Sequence, residues 1–338
     1  MMEANLNRRI VLAARPAGVP APENFARDDQ PTGAPAEGQF LVRNLYLSVD
    51  PAQRGWVQAS ANYSQAVALG DVMRSLAVGM VMESKCARIA VGERLYGWFG
   101  WQDFCAADER AVICRVDPRH GPDSSALGIF GINGVTAHLA LTEIGAPRNG
   151  ETVVVSTAAG AVGSIVGQIA RSLGAYVVGL TGSDEKVSQC VGEFGYHAAA
   201  NYHKLTSSEM AALCPRGVDV YFDNTAGGIS DHVWPLLNVR GRIIQCGTAA
   251  IASWNPPPLS ARREREILTK RLRHEGFVIF DHIARFEEVI AGLAAKVKAG
   301  SIVYREDIEE GLDRAPQALA AIYRGENRGK KVIRLEGV

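Results

Sequence analysis

The chain has 338 residues, 47% of them hydrophobic, which suits about two packed domains and makes disorder a poor reading. Lys plus Arg equals Asp plus Glu at 36 each, so the chain lacks the net field that holds nucleic acid or an anionic membrane surface. Six scattered cysteines without a CxxC pair read as reduced, mostly buried thiols of a cytoplasmic protein, Met1–Arg15 lacks the apolar core of a signal peptide, and no run reaches the roughly 18 apolar residues of a membrane span.

From about residue 5 to 127 the chain shows short β-type runs punctuated by Gly and Pro. Gln39–Val49, Gly79–Ser84 and Arg110–Val116 are the clearest, and they predict a compact β-rich domain. From about residue 130 the texture alternates between strand and helix. Glu151–Ser156 is a β-branched run of the kind a buried parallel strand needs. Val162, Ile165, Val166, Ile169, Ala170 and Leu173 then recur at helical spacing and predict one amphipathic face, ended by Gly174. Tyr176–Leu180, Val218–Phe222, Arg242–Cys246 and Gly276–Phe280 repeat the strand signal with helical segments between them, as in a doubly wound parallel α/β sheet. Beyond Val303 come short strands and one helix, ending in Lys331–Leu335, which needs a sheet to pair with and so is expected to rejoin the first domain.

Ala158-Ala159-Gly160-Ala161-Val162-Gly163 sits at the first strand-to-helix junction and matches GxGxxG with Ala at the first position. Gly160 would let the backbone approach a pyrophosphate, Gly163 would let the helix pack close to the strand, and the helix N-terminus would face the phosphates. The end of the next strand chooses the coenzyme. A chain selective for NAD places Asp or Glu there for the ribose hydroxyls. Here Thr181-Gly182-Ser183 is small and neutral, and Lys186 supplies a cation one helical turn on, which favours NADP(H). Asp184 and Glu185 argue the other way unless one of them caps the next helix.

The cysteines and seven histidines show no short cluster with the spacing of a zinc site, so no metal is expected. His120, His197, His203, His232 and His274 lie in polar contexts and read as surface residues, whereas His138 is a lesser site candidate near the domain junction. No GxSxG elbow or P-loop occurs. Arg262, Arg263, Arg265, Lys270, Arg271 and Arg273 alternate with acids, and Ile267, Leu268 and Leu272 read as the buried stripe of a solvated helix, not an RNA-binding patch.

Asn44–Gly55, Gly134–Ala137, Gly150–Ala170, Gly182–Val187, Phe222–Gly228, Cys246-Gly247, Gly276–Asp281 and Gly325–Lys330 together resemble the medium-chain dehydrogenase/reductase superfamily. Within it they are similar to the zinc-independent leukotriene B4 dehydrogenase/prostaglandin reductase branch, which includes curcumin-reductase-like and alkenal double-bond reductases. The resemblance implies a GroES-like β domain (1–129 and 304–338), a Rossmann domain (130–303), a homodimer, and NADPH-dependent reduction of a C=C bond conjugated to a carbonyl. It places Gly160, Ala161, Val162 and Gly163 at the pyrophosphate, and Lys186 and Tyr202 at the 2′-phosphate. Thr136, Gly182, Asn224, Cys246, Gly247 and Asn327 would line the rest, with Phe277, Val278 and Ile279 beside the nicotinamide.

Two segments depart from the family pattern. Thr248–Asn255 puts Trp254 where the family's SxYN tyrosine would fall if two residues are inserted. Asp50-Pro51-Ala52-Gln53-Arg54-Gly55 lacks the family's aromatic. Cα would take its proton from water or from a tyrosine, for which Tyr63, in Asn62-Tyr63-Ser64-Gln65, is the preferred side chain, and Trp254 is expected to position substrate or wall the pocket, since an indole N–H donates but does not ionise. A quinone or carbonyl reductase on the same fold is the nearest alternative, and a non-catalytic dinucleotide-binding protein a further one.

Overall fold

In the computed structural model, which describes residues 6–59, 63–254 and 256–337, the β-type runs of the first third pair as antiparallel strands. β1 (Phe40–Ser48) lies between β2 (Leu76–Ser84) and, on its other side, β4 (Phe104–Ala107), while β3 (Arg94–Trp98) pairs with β2 and with β5 (Val112–Arg115). Phe40, Val42, Leu47, Leu76, Val78, Leu95 and Tyr96 are fully buried, which gives this sheet its core.

The second half of the chain builds a parallel sheet. β6 (Thr152–Ser156) is buried at every residue, and helix α2 (Gly163–Ser172), following α1 (Ile132–Leu139), packs on it through Ile165, Val166, Ile169 and Ala170. Each of the Ile and Val side chains contributes about 1.5–3 kcal/mol on burial. β7 (Tyr176–Thr181), α3 (Asp184–Gly192), β8 (Ala198–Asn201), α4 (Ser207–Leu213), β9 (Val218–Asp223), α5 (Gly227–Val233), β10 (Leu237–Gln245), α6 (Glu264–Lys270), β11 (Arg273–Gly276) and α7 (Phe286–Lys298) follow. The sheet order is β8-β7-β6-β9-β10-β11, all parallel, so the strand order reverses between β6 and β9. The chain then runs through β12 (Glu306–Glu310), α8 (Ala315–Tyr323) and β13 (Lys330–Arg334), and β13 adds to β1. Two units result: residues up to Gly131 with those from Glu306 on, and Ile132–Arg305.

Several expectations require correction. The sixth strand is the charged run Arg273–Gly276, not the apolar run Gly276–Phe280. As the outermost strand, β11 is exposed at all four residues and has no apolar signature. The apolar residues instead mark where the chain leaves the sheet, burying Phe277 and Ile279 before a 3₁₀ segment at Ile279–Arg285. Arg242–Cys246 is the second half of a longer strand, interrupted where Arg240 takes φ 66°. In Arg110–Val116 only Val112–Arg115 is strand, because Asp108 caps a 3₁₀ turn over Glu109–Ala111. Leu173 lies past the end of α2 and is exposed. Leu268 is 75% exposed, so the apolar face of α6 is narrower than its sequence suggests: Ile267 is half-buried and Leu272 is buried only after Arg271 (φ 51°) has ended the helix. Of the six cysteines, which are all free, Cys190 and Cys214 alone are fully buried. No helix among the described residues is long and apolar enough to cross a membrane.

Candidate functional site

Parallel strands end together, and the turns that follow them collect at one edge of the sheet. Gly160–Gly163 follows β6, Gly182 and Lys186 follow β7, Tyr202 follows β8, Asn224 follows β9, Cys246 and Gly247 follow β10, and Phe277–Ile279 follows β11. Thus every expected second-unit residue except Thr136 and Trp254 lies just beyond the carboxyl end of a parallel strand. In open α/β sheets the crevice at the switch of strand order, here between β6 and β9, is where ligands bind.

The glycine turn is held from below. A Cβ at Gly163 would sit 2.4 Å from the Thr157 carbonyl oxygen and 2.9 Å from the Ala158 Cα, contacts no side chain can make. The buried Tyr196 hydroxyl donates to the Gly163 carbonyl at 2.7 Å and fixes the first turn of α2. Thr157 adopts φ 49° where the chain turns out of β6, an uncommon conformation for a β-branched residue. Neither Thr157 nor Tyr196 carries a signal in its own residue type.

At the end of β7, Ser183 and not an acidic residue caps α3, its side chain accepting from the Lys186 N–H. Asp184 is turned away to Lys204 Nζ, 2.5 Å distant, and to Asn201 Nδ2 at 2.9 Å, so its carboxylate is already satisfied and held below the ordinary aspartate range by these two partners. Lys186 and Tyr202 are half-buried, and burial raises the Tyr202 phenol. His203, expected as a plain surface residue, stacks obliquely on Tyr202 with ring centroids 4.5 Å apart.

Beyond β9, the Asn224 N–H donates to the Ser156 hydroxyl and its Nδ2 to the Ser156 carbonyl, both at 2.8 Å. The turn is organised by Asp223, 1% exposed, whose carboxylate accepts from the Thr225 and Ala226 N–H groups at 2.8 Å and from the Ser230 hydroxyl at 2.6 Å. A buried carboxylate saturated in this way is a rigid corner post. It lies within the Phe222–Gly228 segment, but its role depends on partners the sequence does not reveal. The Asp223 carbonyl accepts from the N–H groups of Cys246 and Gly247, and a Cβ at Gly247 would come within 2.7 Å of the Asn224 carbonyl oxygen. Burial, with Asp223 nearby, pushes the Cys246 thiol up to about 12, so it stays protonated and is no nucleophile at neutral pH. Phe277 donates its N–H to the Gln245 carbonyl at 3.1 Å, and its ring stacks on His282 at 4.8 Å.

Thr136 is buried on α1, which packs against both α2 and the 3₁₀ segment that begins at Ile279. On the same helix burial lowers the His138 imidazole, assisted by Lys296 and Arg285, and among the described residues no donor or acceptor meets its Nδ1. Trp254 is 57% exposed in the loop after β10, and Asn255 lies outside the described residues. The other unit carries Tyr63 and Asn327. Tyr63 is 54% exposed, Asn62 before it lies outside the described residues, and Asn327 donates to the Gly329 carbonyl at 2.8 Å. In the Asp50–Gly55 segment the buried Gln53 accepts from the Asp50 N–H at 2.9 Å, and the Arg54 guanidinium stands 4.8 Å over the Tyr323 ring. Tyr323, absent from the expected set, donates to the Pro51 carbonyl and is raised by burial. No group of three or more His, Cys, Asp or Glu that could hold a metal ion lies among the described residues.

Two family models match the chain, one described as the N-terminal domain of oxidoreductase over residues 8–114 and one as zinc-binding dehydrogenase over 161–295. The chain is 39% identical to the NADPH-dependent curcumin reductase of Escherichia coli, covering 98% of this chain and 97% of that one. It is 35% identical to the NADP(+)-dependent 2-alkenal reductase of Nicotiana tabacum, over 87% of this chain and 86% of the other. Among solved structures it is similar to CurA from Vibrio vulnificus in complex with NADPH, with a TM-score of 0.92, 36% identity, and coverage of 98% of this chain and 100% of that one.

Proposed function

Because the chain belongs to the medium-chain dehydrogenase/reductase family, in its double-bond reductase branch, we propose that it is an NADPH-dependent reductase of the C=C bond of α,β-unsaturated aldehydes and ketones. The near full-length likeness to a curcumin reductase and a 2-alkenal reductase carries this reading.

The crevice fits a dinucleotide. Gly163 and Gly247 stand where a Cβ would collide with backbone, leaving the turns flat enough for a pyrophosphate to approach. Gly160, Ala161, Val162 and Gly163 would present the N-terminal amides of α2 to the phosphates. Lys186 and Tyr202 would meet the 2′-phosphate, with Asp184 kept from opposing it by Lys204 and Asn201. Thr136, Gly182, Asn224, Cys246, Gly247 and Asn327 would line the remainder, and Phe277, Val278 and Ile279 would flank the nicotinamide. NADPH, when bound, supplies a hydride to the β-carbon of the substrate. Negative charge then develops on the carbonyl oxygen, where each well-aimed hydrogen-bond donor is worth about 100- to 1000-fold in rate. Tyr63 would deliver the proton to Cα, and the Trp254 indole would wall the pocket or donate a hydrogen bond without losing its proton. The protein would work in the cytoplasm as a homodimer; among the described residues β11 is an edge strand of its sheet, the kind of strand that can pair across an interface.

Turnover of one enone with NADPH, followed by product analysis, tests the reading. The saturated ketone is expected, whereas an allylic alcohol would make the chain a carbonyl reductase. A hydroquinone formed from a quinone, with enones left untouched, would make it a quinone reductase. Tyr63→Phe should lower turnover about 100-fold or more, as loss of a general acid does, with NADPH affinity within about twofold of wild type (the scatter of an unrelated surface change). Unchanged turnover removes Tyr63 from the mechanism.

A further inference from the structure

The turn Asn201–Lys204 after β8 carries three polar side chains beyond Asn201, and the fold sends them to different places. The Tyr202 N–H donates to the Thr181 carbonyl at 2.9 Å, which docks the turn onto the end of β7, and the His203 N–H donates to Asn201 Oδ1 at 3.1 Å. Lys204 swings to Asp184. Tyr202 and His203 do the opposite: a Cβ at Gly182 would lie 2.8 Å from the Tyr202 hydroxyl and 3.8 Å from His203 Nε2. Two polar tips therefore converge over the one backbone position in this strand end that has no side chain, while the nearest carboxylate, Asp184, is held aside by Lys204 and Asn201.

Resting on the NADPH reading above, we propose that His203 is a further ligand of the coenzyme 2′-phosphate, through Nε2, and that it strengthens the preference for phosphorylated over unphosphorylated coenzyme. The chemistry is direct. A phosphate monoester takes charge-assisted hydrogen bonds, and an imidazole N–H is a donor that its oxygens can accept from.

The test is calorimetric titration of the full chain with adenosine 2′,5′-bisphosphate and with 5′-AMP at neutral pH. Wild type should prefer the bisphosphate. His203→Ala should weaken bisphosphate binding about fivefold, with 5′-AMP unchanged. His203→Lys should restore binding. No loss, or a matching loss for 5′-AMP, overturns the role of His203 alone. A wild-type chain that does not distinguish the two nucleotides overturns the coenzyme reading, and the proposal with it.

Discussion

Gly163→Ala should weaken NADPH binding by about 100-fold, read by titration of coenzyme fluorescence, while far-ultraviolet circular dichroism stays that of the folded chain. One methyl group is enough because of what it strikes. Its nearest neighbours are the Thr157 carbonyl oxygen at 2.4 Å and the Ala158 Cα at 2.9 Å, both backbone and neither able to rotate away. Relief requires moving either the turn or the start of α2, and overpacking of this kind costs about 1–3 kcal/mol. The start of α2 is also anchored by Tyr196 and by the buried Ile165, Val166 and Ile169. The turn is therefore what yields, and it is the part expected to hold the pyrophosphate. Binding within threefold of wild type, a difference of about 0.65 kcal/mol, would show that the turn does not contact coenzyme.

Lys330→Met should lower the melting temperature by about 10 °C, from a loss of about 3–5 kcal/mol. Lys330 Nζ lies 2.9 Å from Asp50 Oδ1 and 2.8 Å from the Val49 carbonyl, and the two charged side chains are 4% and 7% exposed. Burial lowers the Lys330 ammonium from the ordinary lysine range and Asp50 draws it back. Removing the lysine leaves a buried carboxylate that accepts from the Ser48 hydroxyl but has lost its ammonium partner. The pair with Asp50→Asn added should recover much of the loss, because the uncompensated charge goes too. The same Asp50 shapes the Gln53–Arg54 turn through its backbone, so the single variant should also disturb the segment next to Tyr323. A melting temperature within about 2 °C of wild type would mean that Asp50 is sheltered by something other than Lys330.

How much of this was legible beforehand follows element by element. Glu151–Ser156 and the repeat at Ile165, Val166 and Ile169 announce a buried strand and the helix packed on it, because burial on two faces and on one face leave different periods in a sequence. Glycines at 160 and 163 between them name the turn. The last strand could not be read in the same way: β11 is an edge strand of charged residues, and pairing through backbone alone leaves no mark on side chains. Leu268 misleads for the complementary reason, since an apolar residue on an exposed helix face looks like any other.

The candidate site divides along the same line. Residue types at 160–163, 182 and 186 state a phosphate-binding chemistry by themselves, and the segments that follow state the family. Which polar groups cooperate is decided by folding. Asp223 becomes a corner post only when Ser156, brought across from β6, and Cys246, from β10, arrive beside it. Lys330 meets Asp50 over a separation of 280 residues, and Asp184 is neutralised by Lys204 from the next strand's turn. A backbone period is set by neighbours a few residues away and so is written in the chain order. A charge or hydrogen-bond partner is set by distance in space, and that exists only once the sheet has formed.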